Sequence, residues 1–203
     1  DKTVALDAET VDLIPGGGSP MPAKLTVVGT TLFFTAADAA KGRELWKLEN
    51  TANAIPKRIS DIIVGPGSSG IDNLTDFNGV LHFTASSGQA TGDRLFKTNA
   101  TNTSVAAVGG TMSNADNLMA AGFKLFFTQS PEAGAPQLCK LENGTTTVLR
   151  TFDLLLDGQS SIPQKLTAAG DQIFFTAADA ENGRELWKSD GDTTMLVSDI
   201  RDG

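Results

Sequence analysis

An all-β fold is predicted for this chain of 203 residues by three observations: a phrase that recurs four times, an aromatic doublet inside the phrase, and no helical spacing of apolar residues. The phrase is clearest from Lys24 to Lys47, KLTVVGTTLFFTAADAAKGRELWK, and from Lys165 to Lys188, where 17 of 24 positions are identical without a gap. Weaker copies run from Asn73 to Lys97 and from Asn117 to Lys140. The closing lysines Lys47, Lys97, Lys140 and Lys188 stand 50, 43 and 48 residues apart, a period that suits propeller blades better than short solenoid turns. A unit of about 47 residues buries too little to fold alone, so the four copies read as one domain. The units run over about 15–63, 64–109, 110–156 and 157–203, with residues 1–14 as an additional amino-terminal strand segment.

Within the first unit, Leu25 to Val28 and Thr31 to Ala36 form a hairpin across Gly29-Thr30. A polar loop from Asp38 to Gly42 leads to a strand from Arg43 to Leu48, and Pro56 to Ile63 supplies a fourth. The other units turn at Asn78-Gly79, Ala121-Gly122 and Gly170-Asp171, the first of these being a strong two-residue hairpin signal. Their fourth strands fall at Ser104 to Val108, Thr147 to Phe152 and Thr194 to Ile200.

The second strands read Leu32-Phe33-Phe34, Leu125-Phe126-Phe127 and Ile173-Phe174-Phe175. Neighbouring strand residues point to opposite faces, so each sheet is apolar on both sides and needs cover on both. Four antiparallel four-stranded sheets set radially meet that need, and a four-bladed β-propeller is the predicted architecture. A β-sandwich would leave one face of each sheet wet and calls for stricter alternation. One strand is left over: Thr10 to Ile14 and Leu196 to Ile200 both resemble Arg58 to Ile62. A surplus strand packs as an extra edge or pairs with another copy's sheet, with Thr3, Val4, Ala5 and Leu6 as the self-association segment.

The formal net charge of −8 and the lack of a basic block argue against a nucleic-acid partner. No apolar run is long enough for a membrane-spanning helix. The single cysteine, Cys139, rules out an intrachain disulfide. The chain opens at Asp1 without methionine or apolar leader, which reads as a trimmed product of an exported, extracellular or cell-surface protein. Asn-x-Ser/Thr triplets at Asn73, Asn99, Asn102 and Asn143 are expected by chance in so Asn- and Thr-rich a chain.

Arg43-Glu44-Leu45-Trp46-Lys47 and Glu185-Leu186-Trp187-Lys188-Ser189-Asp190-Gly191 resemble the bacterial repeat family named for its Glu-Leu-Trp-x-x-Asp-Gly-Thr signature. Asp192 stands where the signature has Thr, and Phe96 and Cys139 replace tryptophan in the middle units. The resemblance implies exported or cell-surface repeat proteins of propeller-like fold, and it carries no catalytic residues over.

The chemistry-bearing residues each have two readings. Trp46 and Trp187 could stack on a sugar ring, but Phe96 and Cys139 in the same register favour packing. His82, the only histidine, stands where the other units have Phe33, Phe126 and Phe174, which favours a core position over a general base. A hydrolase or lyase site, were there one, would sit in the divergent middle units around His82 and Arg94. Asp38 and Asp179, with Glu44 and Glu185 nearby, are the tentative ligand-binding set. One carboxylate per loop is thin for calcium, and aspartates that hold their own turns explain the pattern as well. No cofactor is expected; a structural calcium or an ion on the axial channel has no support in the spacing. The expected partners are other copies of the chain, surface proteins or glycans, and the expected role is a non-catalytic scaffold, adhesion or self-assembling module, with a carbohydrate-binding propeller as the alternative.

Overall fold

The computed structural model describes residues 13, 18–52, 54–88, 92–109, 114–131, 134–152 and 161–199. Among them there is no helix, and sixteen strands form four antiparallel sheets. Blade 1 is β1 (Ala23–Val28), β2 (Thr31–Asp38), β3 (Gly42–Glu49) and β4 (Lys57–Arg58). Blade 2 is β5 (Asp72–Phe77), β6 (Val80–Ser86), β7 (Asp93–Thr98) and β8 (Ala106–Ala107). Blade 3 is β9 (Asp116–Ala121), β10 (Lys124–Gln129), β11 (Gln137–Glu142) and β12 (Thr145–Thr151). Blade 4 is β13 (Gln164–Ala169), β14 (Gln172–Asp179), β15 (Gly183–Ser189) and β16 (Thr194–Ser198). Every sheet follows chain order, so each blade is a meander of consecutive strands.

The β5–β6 hairpin turns on Asn78 (φ 53°) and Gly79 (φ 75°), the left-handed pair that matches strand twist. Two of the fourth strands are shorter than the apolar pattern suggests, at Lys57–Arg58 and Ala106–Ala107. Beyond Ile59 the chain leaves the sheet edge and turns inward, where Ser60 and Ser69 bond to a buried carboxylate. The carboxy-terminal segment supplies β16, the outer strand of blade 4. Thr3, Val4, Ala5 and Leu6 lie outside the described residues, as does the predicted strand at 10–14 except Leu13, which packs on the cluster of Phe34, Ala36 and Trp46.

Each sheet has a forward face toward the next blade and a backward face toward the previous one. Phe33, Leu45 and Ile59 of blade 1 pack forward onto Leu81, Phe83, Ala85 and Phe96 of blade 2. Leu95 and Val108 of blade 2 pack onto Leu125, Phe127 and Cys139 of blade 3. Phe126 and Leu138 of blade 3 pack onto Ile173, Phe175, Ala177 and Trp187 of blade 4. A fully buried Phe or Leu contributes about 1.5–3 kcal/mol, so each junction outweighs any of the surface contacts described below. The aromatic doublet thus does what strand alternation demands, one ring serving each neighbour.

The expectation that each sheet lies between two others holds for blades 2 and 3. The inner strands pack in succession, β1 on β5, β5 on β9 and β9 on β13, but among the described residues β13 does not pack on β1 to the same degree. Among the described residues no buried apolar cluster draws on both blade 4 and blade 1. Among the described residues the four blades follow one another in an arc, with the backward face of blade 1 and the forward face of blade 4 outermost.

Candidate functional site

The innermost strands carry a device that repeats in all four blades. Lys24, Asn73, Asn117 and Lys165 adopt left-handed backbone angles, with φ of 55°, 54°, 54° and 56°. The register of each inner strand against its neighbour shifts at that place. These are β-bulges, and in the middle blades they are occupied by asparagine, which tolerates the left-handed region better than most residues. The bulge presents the preceding residue, Asp72 or Asp116, at the mouth of the arc, where its carboxylate accepts the next amide at 2.7 Å and 2.8 Å respectively.

A polar ladder then runs from blade to blade. The Lys24 ammonium meets Asp72 at 2.5 Å, and the Asn73 side-chain amide donates to Thr84 Oγ1 at 3.0 Å and to Asp116 at 2.8 Å. Asn117 donates to Thr128 Oγ1 at 3.1 Å. Between blades 2 and 3 this ladder borders a cleft of about 490 Å³, lined by Asp72, Asn73, Asp93, Asn114, Asp116 and Ser130 among others. Burial works to raise the Asp72 carboxyl, but Lys24 and the Asn73 amide outweigh it and hold it below the usual range. Asp93 is pushed up, by burial first and then by the charges of Asp116 and Asp72. The cleft therefore offers fixed carboxylate and amide acceptors and donors to a hydroxyl-rich ligand. Among the described residues no group of three or more His, Cys, Asp or Glu could hold a metal ion.

The residues singled out from the sequence stand elsewhere. Asp38 accepts the amides of Ala40 and Lys41 at 2.9 Å and 2.7 Å and lies 3.4 Å from Arg58 Nε. Asp179 holds the matching turn of blade 4 through the amides of Glu181 and Asn182, at 3.2 Å and 2.8 Å. Glu44 is fully buried and accepts hydroxyls from Ser60 and Ser69. Glu185 is buried on the equivalent strand of blade 4. The structure brings Asp38 and Glu44 to one blade and Asp179 and Glu185 to another, and none of the four lines the cleft. Both indoles are buried, their N–H groups donating to the carbonyls of Ala36 and Ala177 at 3.0 Å and 3.1 Å. Cys139 is buried, and burial raises its thiol to about 12.

His82 is buried on the forward face of blade 2, edge-on to Phe77, with Nδ1 donating to the Val80 carbonyl at 3.2 Å. Arg94 pairs with Ala85 on the opposite face, so the two are not brought together. Burial, the leading cause, lowers the His82 pKa from 6.5. A histidine so shifted stabilises the fold fully above its unfolded value, and that stability is lost as pH falls through the folded one, because the unfolded chain binds the proton first. His82→Phe, which restores the residue of the other blades, is expected to raise the urea midpoint more at about pH 5.5 than at about pH 7.5. An equal shift at both pH values would show that His82 does not carry this dependence.

The cleft residues Asp72, Asp93, Asn114 and Asp116 escaped the sequence reading. The available signal was Asp-Asn-Leu at 72–74 and 116–118, where the outer units have Ala-Lys-Leu and Gln-Lys-Leu. The middle units share a polar pair that the outer units lack, as a site confined to them requires.

No family model matches the chain, and no curated protein matches it. Solved structures match its fold. The β-propeller domain of the Trilobed protease from Pyrococcus furiosus, which has an open velcro topology, is 11% identical with a TM-score of 0.59, over 89% of this chain and 55% of that one. The GH74 xyloglucanase from Xanthomonas campestris is 14% identical with a TM-score of 0.56, over 89% of this chain and 30% of that one. TolB from Acinetobacter baumannii is 15% identical with a TM-score of 0.50, over 87% and 42%. The four radial sheets are those of a β-propeller protein. The chain spans at most little over half the length of these neighbours, and fold likeness at such identity says nothing about activity.

Proposed function

We propose that the chain is a non-catalytic scaffold or adhesion module of the cell exterior, one of the repeat proteins that the Glu-Leu-Trp phrase resembles, and that it works by presenting sheet faces to other proteins. The observation that supports this is the exposed apolar surface at the two ends of the arc. Leu25 is 63% and Val27 61% exposed on blade 1, and Met195 43% and Val197 42% on blade 4. Leu25 and Val27 share one strand and Met195 and Val197 another, and apolar side chains gathered in solvent are the kind of surface that interaction sites use. The aromatic and acidic groups that a catalytic or lectin reading would recruit from the repeated phrase are engaged in turns and packing.

A second reading, a carbohydrate-binding propeller, draws on the cleft between blades 2 and 3, with its carboxylates, amides and hydroxyls at fixed positions. One experiment separates the two. Displayed on a non-adherent bacterial cell, the chain is expected to confer clumping or attachment to protein-coated surfaces, unchanged by Asp93→Ala. Attachment confined to glycan-coated surfaces and lost on Asp93→Ala would transfer the proposal to the second reading, and cells that stay dispersed and unattached would sink both.

A further inference from the structure

We infer that Asn143 is a site of spontaneous deamidation to isoaspartate, the one among three Asn-Gly pairs that the fold leaves free to react. The pairs are Asn78-Gly79, Asn143-Gly144 and Asn182-Gly183. The reaction needs only water. The glycine backbone nitrogen, giving up its proton to solvent, attacks the side-chain carbonyl carbon of the asparagine, and ammonia leaves as its bond to that carbon breaks. Water then opens the succinimide ring at one carbonyl or the other, giving aspartate or isoaspartate. Glycine favours ring closure because no Cβ crowds the attacking nitrogen. By local sequence all three pairs are prone to this reaction, and the fold decides among them.

At Asn78 the nucleophile is restrained. The Gly79 amide donates to Asp76 Oδ1 at 3.0 Å. A carboxylate acceptor stabilises the protonated amide and opposes the anion that must form before attack. At Asn182 the electrophile is restrained. Its side-chain amide donates to both Asp179 oxygens, at 3.1 Å and 3.2 Å, and the side chain cannot swing onto the Gly183 nitrogen without breaking these charge-assisted bonds. Asn143 has neither restraint. It and Gly144 form the two-residue turn between β11 and β12, with φ of 49° and 77°, and both are exposed. Among the described residues no hydrogen bond engages the Asn143 side chain or the Gly144 amide, and a Cβ at Gly144 would meet nothing within 4 Å. The product alters its own hairpin. Isoaspartate routes the chain through the side-chain carbon and so lengthens a turn whose two residues set Glu142 opposite Thr145. It also leaves a free carboxylate next to Glu142, which takes the Lys140 ammonium at 2.7 Å, and that ammonium reaches Asp192 of blade 4 at 3.3 Å. Ageing therefore adds negative charge beside the contact between blades 3 and 4.

The test is to age the 203-residue chain in mildly alkaline buffer made with heavy-oxygen water and to map its peptides by mass spectrometry, with isoaspartyl methyltransferase marking the isoaspartate. Label is expected at Asn143 at least about tenfold faster than at Asn78 or Asn182, the factor that one hydrogen bond to a charged group supplies. In denaturing urea, where only local sequence acts, the rates at the three pairs should converge. Asp76→Ala changes an exposed residue and should retain the circular dichroism of the parent, bring Asn78 up toward the Asn143 rate and leave Asn143 itself unchanged. A folded chain in which Asn78 or Asn182 reacts as fast as Asn143 would overturn the inference, as would an Asn78 rate indifferent to Asp76→Ala. Should Asp76→Ala not fold, the wild type decides alone: denaturation must speed Asn78 and Asn182 far more than Asn143, and an equal gain at all three sites would sink the assignment.

Discussion

Replacing Gly42 by alanine is expected to lower the melting temperature by about 6–12 °C, whereas the same change at Gly183 should cost only about 2–6 °C. The two glycines hold the same place in the phrase Gly-Arg-Glu-Leu-Trp-Lys, with φ of 66° and 68°. A left-handed alanine costs about 1–2 kcal/mol at either site. At Gly42 the added Cβ would also lie 2.5 Å from the Gly67 carbonyl oxygen and 2.7 Å from that of Pro66, a backbone wall in the connection to blade 2. Relieving that overlap costs about 1–3 kcal/mol more. At Gly183 nothing stands within 4 Å. Thermal unfolding followed by circular dichroism decides the matter, and equal losses at both glycines would show that the connection yields and that the phrase alone sets the cost.

Glu44→Ala is expected to destabilise the chain by about 2–6 kcal/mol, since the buried hydroxyls of Ser60 and Ser69 lose their acceptor at about 1–3 kcal/mol each. The Glu44 carboxylate is the common acceptor for Ser60 and Ser69, and the Ile62 amide donates to it at 3.4 Å. Ser69 itself accepts the Ile63 amide at 3.1 Å, and its backbone carbonyl accepts the amide of Ser86 in blade 2 at 2.9 Å. Removing Glu44 frees the connection between two blades as well as one side chain. Repeat proteins unfold in units when a junction is weakened, and Trp46 sits two residues away in blade 1. With Trp187→Phe as background, tryptophan fluorescence in urea should show the blade 1 transition moving to lower urea in Glu44→Ala. Ser60→Ala and Ser69→Ala should each give part of the loss and combine non-additively with it. A midpoint unchanged by Glu44→Ala would remove this network from the account.

Much of the architecture was legible in the chain itself. Short apolar runs between turn residues, an aromatic doublet that greases both faces and a left-handed turn pair such as Asn78-Gly79 are local signals, and local signals determine local structure. Because Phe33 and Phe34 point apart whatever surrounds them, the need to cover both faces of each sheet followed from the repeat, and neighbouring sheets meet it for blades 2 and 3. The cleft was not legible, since Asp72, Asp93 and Asp116 come from three strands in two blades and meet only because the inner-strand bulges bring Asp72 and Asp116 to the end of β7 where Asp93 stands.

The sequence by itself determined the strands, their meander and the two-faced sheets, down to near-identical wording in the first and last units. The tertiary structure decided what that wording is worth in each place. Phe33 is buried and Phe174 half-open, and Gly42 is walled in where Gly183 is free, because burial belongs to the neighbour a residue meets, and among the described residues no sheet covers the forward face of blade 4 as blade 2 covers that of blade 1.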